Sequence, residues 1–321
     1  MSSNYPSGFA SGVTIRGIPL QQMHPGEVFW VNNSSVLPKG AIQGSNSNNG
    51  SFLAPFSSIT YALTQCTANR GDIIMLGVGH NEVVATAAAA GLTLNVAGVA
   101  IVGTGVGSLR SAITSTLADT TIDVTAANMS FSNISFEAGI AAVALCLDIS
   151  AVDGLSFDNC YFTEGATAGT FYYVDVIDLA TGADDFSLTN CKFFGRAVEN
   201  SNFIVGVAHD GFYIDNSQFY SAVAQTSAVP LLNFTGAVTN MDVRNSEFYH
   251  NKDDGFFLAS NQSDNSGCIS DCMFGGADTA DSETTGVDMT GAHAFECYFS
   301  GAVGGWGIAG GGATAIYNSG A

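Results

Sequence analysis

The sequence is poor in charged residues, and most of those present are acidic. Only 11% of the 321 residues are charged, and 28 acids against 8 bases give a formal net charge of −20. An average globular chain carries about twice this share of charge. An acidic surface repels phosphate backbones and anionic membranes, which excludes nucleic-acid binding through a basic face. It also repels acidic glycans unless calcium or a local basic cleft intervenes.

Targeting and metal-binding signals are missing as well. The opening MSSNYPSGFASG has neither a basic segment nor an apolar core, so no secretory signal is expected, and no apolar run reaches transmembrane length. The seven cysteines are an odd number without a CxxC pair, which favours reduced thiols. The five histidines show no mutual spacing, so the sequence predicts no metal site and no cofactor.

What the sequence does contain is one short motif repeated seven times, as in LSFDNCYF at residues 155–162. Each copy has a turn residue at its centre, and consecutive turn residues lie 25 to 31 positions apart. The turn residues are Asn133, Asn159, Asn190, Asn216, Asn245, Asp271 and Glu296. Three positions after them stand Phe136, Phe162, Phe193, Phe219, Phe248, Phe274 and Phe299. Apolar residues also occupy the second position before these turn residues. Apolar and polar positions therefore alternate with a period of two, which is the period of a β-strand.

This repeat predicts an all-β solenoid. A second alternating run precedes most turns, so each repeat holds at least two short strands. No repeat contains enough helical periodicity for a helical solenoid, and a propeller blade needs four strands and a longer period. The period fits one coil of a parallel β-helix, in which every coil adds a strand to each sheet. About ten coils would make a rod on the order of 50 Å long.

In such a coil the turn residue occupies a left-handed corner, which Asn tolerates better than a β-branched residue. We expect the phenylalanines to point inward and stack from coil to coil, and the asparagines to hydrogen-bond along the axis. A ligand role for the asparagines is the alternative, but a structural ladder accounts for all of them. The residues after four of the turns are Cys160, Cys191, Cys272 and Cys297. They alternate with Ser and Ile there, which favours small buried fillers over metal ligands.

The chain divides into three parts. Residues 27–82 contain a strand (EVFWVNN), a polar loop and an amphipathic helix in PFSSITYALTQC, with Ser57 or Ser58 as its N-cap. This helix is expected to cover the open end of the solenoid, which occupies residues 83–321. Residues 1–26 precede both parts, either as an arm that docks onto a particle or as an extension lying along the solenoid.

One motif in this N-terminal part resembles a known group. The order VFWV, PFSSITYAL, RGDIIML and GH resembles the start of right-handed parallel β-helices of the pectate-lyase-like superfamily. It is most similar to those in bacteriophage virion proteins, both capsid-decorating proteins and tailspikes. The short motif that is repeated seven times is typical of the same superfamily. The resemblance covers residues 27–321, and it implies a fold much more specifically than a function.

Enzymes on this scaffold carry acids, often with Arg or Lys, on one outward face. Asp184 and Asp185 are adjacent, and on a strand they would point to opposite faces and make a poor acid–base pair, although they could also lie in a corner. Arg196 and Arg244 stand isolated. The best remaining acidic patch consists of Glu164, Asp175 and Asp178. The patch is a candidate contact for a glycan or Ca²⁺, or alternatively a part of a solvated acidic coat. No catalytic residue is predicted.

These observations predict a non-enzymatic structural protein of a bacteriophage virion, made in the host cytoplasm and exposed as a capsid decoration or appendage. The last coil reads as unfinished, and a symmetric neighbour in a homotrimer would shield its strand edges. The expected partners are capsid or tail proteins, contacted through the arm, and a host-surface glycan; nucleic acid and membrane insertion are not expected. The alternatives are a tailspike-type glycan depolymerase, either a lyase or a glycosidase, and a glycan-binding adhesin.

Overall fold

The computed structural model describes residues 14–15, 18–19, 26–85, 91–164, 171–195, 202–221, 230–250, 258–260, 262, 264–276, 287–289, 291–300 and 308–309. In this part of the chain three parallel sheets run side by side, and each coil passes through them in the same order. The predicted class, a right-handed parallel β-helix, is confirmed. Nine coils contribute a strand to all three sheets within the described residues, slightly fewer than the sequence predicted.

Within the described residues, sheet I consists of ten strands: Val28–Val31, Ile73–Leu76, Ala100–Gly103, Ser130–Ser132, Ser156–Asp158, Phe186–Thr189, His209–Asp215, Val238–Arg244, Gly267–Ser270 and His293–Phe295. Sheet II consists of nine: Asn81–Val84, Ser111–Ser115, Ile134–Ala138, Tyr161–Thr163, Lys192–Gly195, Gln218–Ser221, Glu247–His250, Met273–Gly276 and Tyr298–Ser300. Sheet III also has nine: Leu92–Leu94, Ile122–Val124, Val143–Ile149, Tyr173–Leu179, Asn202–Gly206, Leu232–Phe234, Leu258–Ser260, Val287–Met289 and Ile308–Ala309. In the predicted arm, Thr14–Ile15 pairs with Ile18–Pro19 in a small antiparallel ribbon.

Adjacent coils pair so that equivalent positions of the repeat lie over one another. On sheet II, Phe136 pairs with Phe162, which pairs in turn with Phe193. On sheet I, Phe131 pairs with Phe157, and their rings stack with 4.6 Å between centroids. A shift of one residue would turn every inward side chain outward, so these buried rows determine the register of the coils.

The interior of the solenoid is the hydrophobic core. Its largest fully buried side chains, among the described residues, are Phe131, Phe136, Phe157, Phe162, Phe186, Phe193, Phe203, Phe212, Phe219, Phe248 and Tyr173. Burying one such phenylalanine contributes about 1.5–3 kcal/mol relative to leaving it exposed. The many phenylalanines of the sequence therefore serve mainly to fill the coils.

Helix α1 (Ile59–Gln65) covers the interior at the N-terminal end. Ser58 is its N-cap, because the Ser58 Oγ accepts a hydrogen bond from the Tyr61 N–H at 3.3 Å. The helix contacts the first strands of sheets I and III. Its buried residues are Ile59, Ala62 and Leu63. Their spacing places them on one face of the helix, so the helix closes the core with a single apolar stripe.

A buried carboxylate joins this cap to the first coil. The Asp72 Oδ1 accepts hydrogen bonds from the Glu27 N–H at 2.8 Å and the Arg70 Nε at 2.7 Å. Its Oδ2 accepts from the Thr67 N–H and the Arg70 Nη2, both at 2.7 Å. Burial favours a higher pKa for Asp72, but the hydrogen bonds from Arg70 and the two N–H groups outweigh it and hold the pKa below the usual range.

A second polar contact links the loop, the helix and sheet II. The His80 Nδ1 accepts a hydrogen bond from the Asn33 N–H at 3.1 Å, so this nitrogen carries no proton. The His80 Nε2 lies 3.2 Å from the Glu82 Oε2, which also accepts from the Ile59 N–H at 3.0 Å. His80 is therefore a neutral imidazole that donates to Glu82. The RGD and GH segments of the N-terminal motif thus build the cap.

A second left-handed corner, between sheets III and I, was not recognised in the sequence. Its residues with positive φ are Asn69, Gly98, Asn128, Gly154, Asp185, Gly211, Asn240, Gly267 and Gly291. The glycines make room for the side chains of the coil before: a Cβ on Gly154 would lie 2.6 Å from the Asn128 Oδ1. Most of these residues precede a turn residue of the repeat by five positions, and that spacing is the signal that could have revealed them.

Candidate functional site

The turn residues of the repeat form a corner between sheets I and II. All seven have positive φ, from 46° at Asn216 to 57° at Asn133. Each asparagine side chain donates to the coil before it. Asn159 and Asn216 donate to the Oδ1 of Asn133 and Asn190, at 3.1 and 2.6 Å.

The other asparagines of the corner donate to different acceptors. Asn133 donates to the Gly103 and Gly105 carbonyl oxygens at 2.7 and 2.9 Å. Asn190 donates to the Asp158 Oδ1 at 2.7 Å, and Asn245 to the Asp215 Oδ1 at 2.9 Å. The corner is therefore a ladder of mixed acceptors and not an unbroken asparagine stack.

The repeated phenylalanines lie inside sheet II. Phe136 stacks on Phe162 with 5.0 Å between ring centroids, and Phe219, Phe248 and Phe274 form a second stack. Phe203 of sheet III lies between the two stacks, with its centroid 5.1 Å from Phe162 and 5.0 Å from Phe193. Phe299 pairs with Phe274 through its backbone, and its side chain lies outside the described residues.

The cysteines after the turn residues are buried beside the backbone. The thiol of Cys160 donates to the Phe131 carbonyl oxygen at 3.6 Å, and that of Cys191 to the Phe157 carbonyl oxygen at 3.4 Å. Cys272 and Cys297 make equivalent contacts with the preceding coil. Burial raises the pKa of the Cys160 thiol, so the thiolate that a metal or an electrophile needs is disfavoured.

The acidic patch is a row of carboxylates on the outward face of sheet III. Asp148 pairs in register with Asp123 on one side and Asp178 on the other. Asp175 lies on the same strand as Asp178 and accepts a hydrogen bond from the Asn202 Nδ2 at 2.7 Å. Asp123 and Asp148, which sequence reasoning missed, occupy the position of Asp178 in the two preceding coils.

Glu164 does not share this surface. It is buried at the end of the sheet II strand Tyr161–Thr163, and its Oε1 accepts a hydrogen bond from the Tyr173 N–H at 3.2 Å. This contact ties sheet II to the start of a sheet III strand. The described residues contain no group of three or more His, Cys, Asp or Glu arranged to hold a metal ion.

Two carboxyl groups of this row, those of Asp148 and Asp178, have raised pKa values. Partial burial raises the pKa of Asp148, and the neighbouring Asp123 adds to the shift. Burial also raises the pKa of Asp178, with further contributions from Asp148 and Asp175. Like charges placed side by side on adjacent strands destabilise a sheet, so the row costs stability when it is ionised.

This row predicts a pH-dependent effect of Asp148→Asn. The raised pKa means that the folded state binds the proton more tightly than the unfolded state. The destabilising effect is therefore absent below the ordinary carboxyl pKa and grows as the pH rises through the folded-state value. We expect Asp148→Asn to add about 0.5–1 kcal/mol at pH 7 and nothing near pH 3, measured by denaturant unfolding.

The control for this prediction is Asp119→Asn, which removes a carboxylate from an exposed turn. It should leave the free energy of unfolding nearly unchanged at both pH values. Equal effects of the two substitutions, or a loss of stability in Asp148→Asn at pH 7, would contradict repulsion within the row.

Arg244 is not isolated, contrary to the prediction from sequence. Its guanidinium lies 3.3 Å from carboxylate oxygens of both Asp215 and Asp242, and its Nη2 donates to the Tyr213 hydroxyl. These residues face outward from two adjacent strands of sheet I. Alignment on the turn residues places Asp215 and Arg244 at the same position of neighbouring coils, and that was the available signal. Arg196 lies outside the described residues.

A polar groove of about 280 Å³ runs along the asparagine corner and sheet II. Its floor has a row of corner asparagines and, beside it, a row with Lys192, Gln218 and Glu247. The lining residues are Asn159, Asn190, Lys192, Asn216, Ser217, Gln218, Asn245 and Glu247. Both rows follow the axis of the solenoid, so the groove is parallel to the rod.

An apolar cleft of about 330 Å³ lies near the N-terminal end of the solenoid, between the N-terminal loop and the first coils. Trp30 lines it, with its ring 4.7 Å from the ring of Phe52 in an edge-on arrangement. Trp30 therefore packs against the loop on the outside of sheet I.

The fold is similar to that of a solved enzyme structure. A rhamnogalacturonan lyase aligns over 88% of this chain and 84% of its own, with 13% sequence identity and a TM-score of 0.54. A pectin methylesterase from Aspergillus niger aligns over 89% and 86%, with 17% identity and a TM-score of 0.38. No protein-family profile matches the sequence. No curated protein sequence matches it either.

The class of this protein is thus a right-handed parallel β-helix. At this low identity the shared fold carries no activity with it. The comparisons contain no evidence of similarity to bacteriophage proteins, so that expectation rests on the sequence motifs alone.

Proposed function

We propose that this chain is a non-enzymatic structural protein of a bacteriophage virion, exposed on the particle as a capsid decoration or appendage. The observation that carries the proposal is the use of outward carboxylates to join coils. Asp158 accepts hydrogen bonds from Thr189 and Asn190 of the next coil, at 2.8 and 2.7 Å. Side chains engaged in this way strengthen the rod and are poorly placed to act as acid, base or nucleophile.

A second carboxylate repeats this arrangement at the other corner. Asp210 accepts from the Thr239 Oγ1 at 2.8 Å and from the Asn240 Nδ2 at 2.6 Å. These hydrogen bonds hold the pKa of Asp210 below its usual range. A low pKa keeps this carboxylate ionised at neutral pH, which suits a hydrogen-bond acceptor and not a general acid.

The N-terminal cap supports the virion assignment. The motif that resembles phage proteins forms the networks around Asp72 and His80, which close the N-terminal end of the solenoid. Residues 1–26 precede this cap in the sequence. We propose that these residues are a docking arm for capsid or tail proteins, that the protein is a homotrimer, and that it reaches the particle from the host cytoplasm. The net charge of −20 disfavours nucleic acid as a partner. No helix of the described part is long and apolar enough to cross a membrane.

The test of this proposal is quantitative mass spectrometry of purified particles of the bacteriophage that encodes the protein. Hundreds of copies per particle are expected for a capsid decoration, and roughly 18 or fewer for a tail appendage, on symmetry grounds. Absence from purified particles would overturn the proposal. Light scattering of the purified protein tests the trimer separately, and a variant without residues 1–26 should remain trimeric but no longer bind the particle.

A tailspike-type depolymerase or a glycan-binding adhesin is the second candidate. The polar groove on sheet II favours glycan binding, and the acidic row on sheet III offers carboxylates for hydrolysis or elimination. Incubation with capsular polysaccharide or lipopolysaccharide distinguishes the two roles, because a depolymerase shortens the chains whereas an adhesin only retains them.

A further inference from the structure

Two of the few cations of this acidic protein converge on one tyrosine. The described cationic residues are Lys39, Arg70, Arg110, Lys192 and Arg244. The guanidinium carbon of Arg110 lies 3.8 Å from the centre of the Tyr161 ring, and the Lys192 Nζ lies 5.7 Å from it. Arg70 and Arg244 form ion pairs with carboxylates, but no carboxylate of the described residues pairs with Arg110 or Lys192.

These cations lie at one end of the polar groove. Arg110 also donates to the Asn159 carbonyl oxygen at 2.7 Å, and both Asn159 and Lys192 line the groove. At the other end the Glu247 Oε2 accepts hydrogen bonds from the Gln218 Nε2 at 3.1 Å and the Tyr220 hydroxyl at 3.4 Å. Lys192 and Glu247 occupy equivalent positions two coils apart, which corresponds to about 10 Å along the axis.

An aromatic row borders the groove on the side away from the asparagines. Phe194 stacks on Tyr220, and Tyr220 on Tyr249, with 5.5 Å between centroids at both steps. Phe194 is 39% exposed although it is a large apolar side chain. Tyr249 pairs in register with Gly275, which has no side chain to cover the next position of the row.

We propose that this groove binds an acidic oligosaccharide along the axis of the solenoid. Lys192 and Arg110 pair with a sugar carboxylate, the amides of Asn190, Asn216 and Gln218 hydrogen-bond to ring hydroxyls, and the aromatic row contacts apolar C–H faces. A polymer of repeated sugars matches rows that repeat once per coil. The two cations provide the local positive charge that an anionic ligand needs on a protein of net charge −20. This inference goes beyond the structural role and does not depend on it.

Binding of the purified full-length protein to immobilised hyaluronate, polysialic acid and alginate tests the proposal, with dextran as the neutral comparison. We expect at least one acidic polymer to bind, and binding to weaken between 50 and 500 mM salt (about 14 and 4 Å of Debye length). Lys192→Gln should raise the Kd about tenfold, the usual effect of losing one charge-assisted contact, whereas Lys192→Arg should restore most of the affinity.

Lys39→Gln is the matched control, because it removes the same charge from the exposed N-terminal loop. It should leave the affinity unchanged. Tyr220→Ala, checked for an intact melting transition, should weaken binding without changing its dependence on salt. No binding to any acidic polymer, equal binding to dextran, or equal effects of Lys192→Gln and Lys39→Gln would overturn the proposal. Loss of this site would leave the copy number in particles unaffected, so the two proposals fail independently.

Discussion

Phe162→Ala is expected to lower the free energy of unfolding by about 3–5 kcal/mol, the usual cost of truncating a buried phenylalanine. The Phe162 ring is fully buried, stacks on Phe136 and has Phe203 edge-on at 5.1 Å. Removing it opens a cavity between two coils that a rigid sheet cannot close. Denaturant unfolding followed by tryptophan fluorescence and circular dichroism measures the change.

Phe194→Ala is the matched control for this substitution. Phe194 is also on sheet II, one coil further along, but its side chain faces outward and stacks on Tyr220 on the outer surface of the sheet. Its truncation should cost about 1 kcal/mol or less, the contribution of an aromatic pair near the surface. Similar losses for Phe162→Ala and Phe194→Ala would show that the inward and outward rows are assigned wrongly.

Asp72→Ala is expected to destabilise the N-terminal cap by about 2–4 kcal/mol. The substitution leaves the N–H groups of Glu27 and Thr67 without their acceptor and removes both hydrogen bonds of Arg70. Each buried donor without an acceptor costs about 1–3 kcal/mol. A solenoid is stabilised mainly between neighbouring coils, so the loss should remain local. Hydrogen exchange should accelerate in residues 26–31 and 59–66 but not around Phe248.

Glu27→Gln is the control, because Glu27 is the other carboxylate facing Arg70. Its Oε1 lies 3.8 Å from the Arg70 Nη1 on an exposed surface, and such a pair contributes little. The pKa of Asp72 is held low, so the stabilisation is complete above the ordinary carboxyl pKa and is lost as the pH falls through the folded-state value. Uniform acceleration of exchange along the rod in Asp72→Ala would contradict a local cap.

The repeat was readable because two of its positions tolerate few residue types. A left-handed corner favours Asn, and a narrow interior favours Phe, so these two residue types recur at fixed positions of the repeat. The corner between sheets III and I was missed because it accepts Gly, Asn and Asp in turn, as at Asn128, Gly154 and Asp185. No single residue type recurs at that corner, although the left-handed backbone conformation recurs.

Contacts between coils were harder to predict than the coils themselves. Arg244 reaches Asp215 across 29 positions, and the coil lengths vary, so such pairs emerge only from alignment on the turn residues. Glu164 belongs to sheet II whereas Asp175 belongs to sheet III. Their proximity in sequence therefore did not make one surface. The N-terminal motif indicated the cap but not the hydrogen bonds of Asp72 and His80 within it.

We propose that the outward side chains of this β-helix build and decorate a rod and catalyse no reaction on a glycan. The test is the chain-length distribution of capsular polysaccharide and lipopolysaccharide after prolonged incubation with the purified protein. We expect the chain-length distribution to remain unchanged, even for a polymer that the protein retains. Shortened chains that depend on the protein, and that disappear when Asp148 and Asp178 are replaced by Asn, would show that the acidic row is an active site.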